Sequence, residues 1–155
     1  MPKLQIVNHD NQIKEILKKA DLKVTQPRIS VIETLLDSDR PLNSKEIIDQ
    51  ITKKQKNSTE KSKIDQVTVY RIIESFKEKK IIHQILDQGY LFCRHISCNH
   101  KNHIMMVCSN CSKSLETQID EELISKLIVH ISKKNKFKVD QHSFQISGIC
   151  QECDN

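Results

Sequence analysis

The stretch from Asp65 to Cys93 reads DQVTVYRIIESFKEKKIIHQILDQGYLFC, and a change of period in its middle decides the fold. Val69, Ile72, Ile73 and Phe76 recur at helical spacing, which predicts a helix from near Asp65 to about Lys80 with those four on its buried face. Ile81-Ile82-His83-Gln84-Ile85-Leu86 and Tyr90-Leu91-Phe92-Cys93 are then short β-prone runs on either side of Asp87-Gln88-Gly89. That is a hairpin signal. A helix running straight into a hairpin is the closing half of a winged helix-turn-helix. In that architecture the helix enters the major groove of DNA and the hairpin rides the adjacent backbone.

The residues before this stretch supply the rest of such a domain. Ile13, Ile16, Leu17 and Ala20 predict a first amphipathic helix over about 10–20. Thr25 stands as an N-cap with Pro27 in the following turn, and Ile32, Leu35 and Leu36 carry the apolar side of a second. Asn43 with Glu46 has the form of a capping box, Leu42 can staple onto Ile47, and Ile47, Ile48 and Ile51 continue a third. Lys53 to Lys63, KKQKNSTEKSK, can bury almost nothing and reads as a solvated loop.

The C-terminal half is organised by two cysteine pairs of equal spacing, Cys108-Ser-Asn-Cys111 and Cys150-Gln-Glu-Cys153. Two residues between thiolates suit a turn that aims both sulfurs at one ion, and two such turns complete a closed tetrahedral cage for Zn2+. A closed cage leaves no position for catalysis. The rival readings are two disulfides or a redox-active Cys-x-x-Cys. His103 to Val107 and Ser114 to Gln118 read as strands flanking the first zinc turn, and Phe144 to Gly148 as a third strand. Between them Leu123, Ile124, Leu127, Ile128 and Ile131 mark an amphipathic helix. Asp120, Glu121 and Glu122 at its start and Lys133 and Lys134 at its end suit the helix dipole. A small sheet with one helix leaves an apolar face and an edge that a second subunit can cover.

Composition narrows the class. The chain has 155 residues, a formal net charge of +5, no Trp and two Gly, so it offers few stacking aromatics and no glycine-rich phosphate loop. No apolar run reaches the length of a membrane span, and the first ten residues lack a signal peptide's apolar core. The expectation is a cytoplasmic protein in a reducing compartment, where cysteines serve as ligands, with no membrane and no small-molecule substrate as partner. A mild positive charge suits a polyanion. Thr68, Tyr70 and Arg71 lie near the start of the fourth helix and off its buried stripe, where a recognition helix meets DNA. Tyrosine can pack on a thymine methyl and arginine can fork onto guanine or phosphate. The plainer alternative is a Tyr-Arg pair that only solvates the helix.

Taken together, Leu22-Lys23-Val24-Thr25-Gln26-Pro27-Arg28, Thr68-Val69-Tyr70-Arg71, the histidine-bearing stretch ending in Cys108-x-x-Cys111, Glu116, His142 and Cys150-x-x-Cys153 resemble the ferric-uptake-regulator family of bacterial metal-responsive repressors. The resemblance runs from about residue 12 to 153. It implies an α+β chain: a winged helix-turn-helix DNA-binding domain over 1–92, then a hinge and a small α/β dimerisation domain with a structural zinc over 93–155. It implies a homodimer on a double-stranded, AT-rich, palindromic operator. Lys23 would approach the minor groove, Arg28 the phosphates, and Tyr70 and Arg71 the major groove and backbone.

The sensed metal turns on His83, Cys93, His95, Cys98, His100, His103 and Glu116, four of which could surround one ion. A thiolate in a mixed donor set favours zinc over Fe(II) or Mn(II). The zinc-uptake-regulator branch is similar here, and by that comparison His83, Cys93 and Glu116 match, with either His100 or His103 as the fourth ligand. The iron-sensing branch places a histidine where this chain has Arg40-Pro41, and a fuller histidine cluster where Ile104 and Met105 stand. His142 remains from the family's additional site without its usual neighbours. Singly these residues have plainer readings: an exposed His83, a core Cys93, a Glu116 paired with lysine, a passenger Cys98. The implied function is repression of zinc-uptake genes when zinc is replete. An iron- or peroxide-responsive regulator is the alternative within the family, and a zinc-dependent hydrolase with Glu116 as base is the alternative outside it.

Overall fold

The structure is a computed structural model that describes residues 9–56, 64–94, 103–140 and 142–154. It divides into two compact units, residues 1–96 and 97–155.

The first unit contains α1 (His9–Lys19), α2 (Gln26–Leu36), α3 (Ser44–Lys56), α4 (Gln66–Glu78), β1 (Ile82–Ile85) and β2 (Gly89–Phe92). Ile13 and Leu17 of α1, Ile32 and Leu35 of α2, Ile47 and Ile51 of α3, and Val69, Ile73 and Phe76 of α4 form one buried cluster. Helices α1, α3 and α4 each turn one apolar stripe inward, whereas α2 is buried around most of its girth through Ile29, Val31, Ile32, Thr34 and Leu35, and that burial holds the helices. The capping box forms in both directions: Glu46 N–H donates to Asn43 Oδ1 at 2.9 Å and Asn43 N–H donates to Glu46 Oε2 at 2.9 Å. Thr25 occupies the N-cap of α2 in extended backbone, but its hydroxyl makes no cap hydrogen bond. Pro27 in the first turn needs no N–H partner, which lessens what a cap must satisfy.

One expectation needs correction. The solvated loop does not begin at Lys53, because α3 continues through Lys56. Lysine and glutamine are good helix formers, and Lys54 Nζ reaches Asp37 Oδ2 at 2.7 Å, tying this last turn to the end of α2. The remainder of that segment, residues 57–63, lies outside the described residues.

The wing is antiparallel, with His83 opposite Leu91 and Ile85 opposite Gly89. On the other side of β2 it gains an isolated antiparallel bridge, Leu42 to Tyr90, from the turn between α2 and α3. Leu42 N–H donates to Tyr90 O at 3.0 Å and Tyr90 N–H to Leu42 O at 2.8 Å. Gly89 makes this approach possible, since a Cβ there would stand 2.3 Å from Leu42 O, and its φ is +122°.

The second unit contains β3 (His103–Cys108), β4 (Ser114–Gln118), α5 (Glu121–Asn135) and β5 (Phe144–Gly148). The strand order is β4-β3-β5, with β3 antiparallel to β4 and parallel to β5. Asp120 caps α5 by accepting from Glu122 N–H at 2.7 Å, and Lys136 ends it in left-handed backbone. Of α5's apolar residues only Ile124 is buried, and Leu123, Leu127 and Ile131 remain exposed.

Gly89→Ala tests the wing anchor. Left-handed strain and the Leu42 clash should together destabilise the first unit by about 2–4 kcal/mol. Denaturant unfolding would show it as a lower midpoint, with the metal content of the chain unchanged. An unaltered midpoint would mean the wing does not depend on this contact.

Candidate metal centres and nucleic-acid interface

On α4, Val69, Ile72, Ile73 and Phe76 face the core while Tyr70 (49% exposed) and Arg71 face solvent. Thr68 behaves differently from a free reading residue. Its hydroxyl donates to Asp65 Oδ2 at 2.6 Å and its N–H to Asp65 Oδ1 at 2.9 Å. Asp65 is thus the N-cap of this helix. The Thr68 hydroxyl, and then its backbone N–H, hold the Asp65 carboxyl below the usual carboxylate range. Lys23 is exposed, and its carbonyl accepts from Arg28 Nη1 at 2.7 Å, so Arg28 also braces the turn that presents Lys23.

The second unit gathers the four cysteines. Cys108 ends β3, Cys111 follows in the turn, and Cys150 and Cys153 come from the turn after β5. Backbone bonds position them: Ser109 N–H donates to Gly148 O at 2.8 Å, Cys108 N–H to Lys113 O at 2.9 Å, and Cys150 N–H to Cys108 Sγ at 3.4 Å. The four sulfurs lie within 4.8 Å of one another, and Cys111 and Cys150 are 3.7 Å apart. A zinc–sulfur bond of about 2.3 Å gives a tetrahedron with edges of about 3.8 Å, so the cage fits zinc. A disulfide needs sulfurs at about 2.05 Å, and all four are free thiols.

The electrostatics agree. Backbone N–H groups of Cys111, Cys150 and Asn110 pull the Cys108 thiol down to about 6. Hydrogen bonding to Cys150 and Cys111, burial and the neighbouring Cys108 push Cys153 up to about 12. Four crowded thiols cannot all ionise unless a cation sits among them.

The remaining candidate ligands fall into two pairs, one in each unit. In the first, His83 is on β1 and Cys93 directly follows β2, with Cys93 fully buried and a His83 ring nitrogen within 4.8 Å of its sulfur. Cys93 N–H donates to Ile81 O at 2.9 Å, which fixes the thiol beside the wing. In the second, His103 on β3 and Glu116 on β4 are diagonal neighbours on one sheet face, since His103 pairs with Gln118 and Met105 with Glu116. His103 Nδ1 and Glu116 Oε1 are in contact, and both side chains are buried. His95, Cys98 and His100 lie outside the described residues. Arg40 is committed elsewhere, Nη2 to Glu46 Oε1 at 2.6 Å and Nη1 to Pro41 O at 3.1 Å. Each partner holds the other charged, raising the guanidinium's pKa and lowering that of the Glu46 carboxyl.

Sequence reasoning missed two features. Asp65 as the partner of Thr68 was signalled by an Asp three residues before a Thr at a helix start. The pairing of Lys113 with Glu152 links positions 39 apart and has no local signal.

A capped helix with an exposed Tyr-Arg pair, a wing that follows it and a four-cysteine cage that fits zinc in a second unit are the parts of a winged-helix protein with a metal centre. The ferric uptake regulator family model matches residues 19–147. The ferric uptake regulation protein of Campylobacter jejuni is 27% identical over 144 residues, 93% of this chain and 87% of that one. That of Staphylococcus epidermidis is 30% identical over 147 residues, 95% of this chain and 96% of that one. A zinc uptake regulator solved with zinc and DNA shares the fold, with a TM-score of 0.76 at 17% identity over 93% of this chain and 91% of that one. The chain belongs to the ferric uptake regulator family. It is a metal-responsive DNA-binding regulator of transcription and not an enzyme. Among the described residues no helix is long and apolar enough to cross a membrane.

The cap on α4 gives a pH-dependent prediction. The Asp65 carboxyl titrates lower in the folded chain than in the unfolded one. Its stabilisation is therefore complete above the ordinary aspartate value of about 3.9 and fades as pH falls through the lower folded value. Asp65→Ala should lower the melting temperature of the first unit by roughly 2–5 °C at neutral pH. In thermal melts the gap to wild type should close progressively below that ordinary value. A gap that stays constant in acid would show that the charged cap is not its cause.

Proposed function

We propose that this chain is a zinc-sensing repressor that binds operator DNA as a homodimer and silences zinc-uptake genes when zinc is replete. The observation that carries the choice of metal is the fully buried Cys93 thiol beside His83. A soft sulfur donor with imidazole and carboxylate suits zinc, whereas Fe(II) and Mn(II) favour sets without thiolate. The proposed regulatory set is His83 and Cys93 from the first unit with His103 and Glu116 from the second. Each pair supplies two donors, and neither alone fills a four-coordinate ion. His103 is preferred to His100 because it already meets Glu116.

When bound, zinc at this set would cross-link the first unit (1–96), which carries the DNA-binding helix, to the second (97–155). Linking the two restricts where α4 can point. In a dimer, one arrangement sets two α4 helices in successive major grooves, roughly 34 Å apart. Tyr70 and Arg71 then read the groove, Arg28 and Lys23 hold the backbone and minor groove, and Thr68 keeps the helix start capped. Cys108, Cys111, Cys150 and Cys153 hold a second, structural zinc. An AT-rich palindromic duplex is the proposed operator, and the cytoplasm the proposed compartment.

The homodimer is supported by apolar surface that one chain leaves uncovered. Met106 on β3 is paired with Leu115 on β4 and Ile146 on β5, and all three are 42–50% exposed. Leu123, Leu127 and Ile131 of α5 repeat every four residues and are exposed as well.

Two experiments test this reading. Wild-type protein equilibrated with buffered zinc should carry two ions per chain and Cys93→Ser one. The variant should lose about 5- to 150-fold of the zinc-dependent affinity for a duplex selected from random sequence by the zinc-loaded protein. Equal zinc in both, with Fe(II) restoring DNA binding, would instead establish an iron sensor; the Campylobacter and Staphylococcus relatives are named ferric uptake regulation proteins. Separately, Met106→Lys and Leu127→Asp should each shift the protein from dimer to monomer in sedimentation at micromolar concentration. A dimer that survives both would place the interface elsewhere.

A further inference from the structure

The two cysteine turns are joined by more than the ion they surround. Lys113 lies two residues after Cys111, and its carbonyl closes the first turn by accepting from Cys108 N–H. Its side chain then crosses to the second turn, where Nζ meets Glu152 Oε1 at 2.5 Å. Glu152 stands between Cys150 and Cys153. The pair therefore bridges the only two segments that supply sulfur to the cage, and it places a positive charge beside a centre that carries two net negative charges when four thiolates hold zinc.

We propose that the Lys113–Glu152 pair is a latch on the four-cysteine centre, slowing the separation of the two turns that must precede release of the metal. Release of zinc from this centre would require Cys108 and Cys111 to part from Cys150 and Cys153, one sulfur after another. A sulfur that swings away is returned quickly while the other turn stays within reach. The latch keeps the turns together during that interval. Both side chains are substantially exposed, at 47% and 71%, so the effect is moderate and weakens with salt. Glu152 adds negative charge near the thiolates, so its contribution is to orient Lys113 and hold the turns, not to neutralise the centre. The two residues thus have separable roles.

This inference rests on the reading that the four cysteines hold zinc, and the first measurement checks that reading alone. Full-length Cys93→Ser protein, in which the four-cysteine ion is the one observed, is assayed for zinc and then mixed with an excess of a chromophoric chelator. One zinc per chain is expected; none would overturn both the zinc reading and the latch. In this background Lys113→Met and Glu152→Gln should each accelerate zinc transfer about two- to five-fold at low salt. The double change should be no faster than the faster single change. Exchanging the charges, Lys113→Glu together with Glu152→Lys, should bring the rate back towards the parent. Unchanged rates in both single variants would overturn the latch. So would acceleration by Lys113→Met with none from Glu152→Gln, which would make the lysine a simple counter-charge. Spectra of the cobalt-substituted variants should match the parent, since the sulfur ligands are untouched; an altered spectrum would assign the faster release to a changed ligand set and also overturn it.

Discussion

Four cysteine sulfurs held within 4.8 Å of one another repel as thiolates unless a cation sits among them, and the second unit is built around that constraint. Its own core is thin. Among the described residues, its buried hydrophobics are Met105, Val107, Cys108 and Ile124, against a continuous cluster from four helices and the wing in the first unit. A segment of this size that buries so little apolar surface needs a staple. A metal held by the four cysteines would supply one by drawing the turn after β5 back onto the end of β3. That closure is reinforced by Ser109 N–H on Gly148 O and Cys150 N–H on Cys108 Sγ. In the proposed dimer the exposed apolar residues of β3 and α5 would provide a second source of stability.

The two proposed metal sets differ in a way that suits different tasks. Four thiolates from two tight turns make a closed centre whose ligands come from one unit, so exchange requires the turns to part. The set proposed for sensing has mixed donors, two from each unit, and its ligands are fixed by ordinary secondary structure: a wing for His83 and Cys93, a sheet face for His103 and Glu116. Such a set can be half-formed without harm to either fold. Occupancy is then free to follow the ambient metal, and binding energy goes into domain orientation and not into folding. Linkage makes this reciprocal, so operator DNA should tighten metal binding by the factor by which metal tightens DNA binding.

The parts that were readable from sequence share a physical reason. Apolar spacing placed α4 because Val69, Ile72, Ile73 and Phe76 are all needed inside, and the Asn43–Glu46 box fixed the start of α3 through local hydrogen bonds. Equal cysteine spacing announced the cage because the turn geometry is itself local. What failed or was missed depends on partners far along the chain. Lys53–Lys56 looked solvated and are helical, since low burial does not prevent a helix whose last turn is tied to Asp37. Gly89 looked like an ordinary hairpin turn, yet its lack of a side chain is required by the backbone of Leu42, 47 positions earlier. The choice between His100 and His103 was open in spacing alone. Strand register bears on it by putting His103 diagonally across from Glu116.

The start of α4 carries a feature by which the proposed regulator would limit its own affinity for DNA. Asp65 caps α4 and keeps the helix start rigid, but it also sets a carboxylate where DNA phosphates would otherwise be welcomed by the helix dipole. A helix start capped by a neutral residue would bind any duplex more strongly. In the proposed DNA contact the positive contributions would come instead from Lys23, Arg28 and Arg71, with Arg28 partly engaged by the Lys23 carbonyl. In the proposed complex this would hold down non-specific attraction, so that a single α4 would dock weakly. Tight binding then needs two helices aligned at once, which is the condition that a metal-set domain orientation can switch on or off.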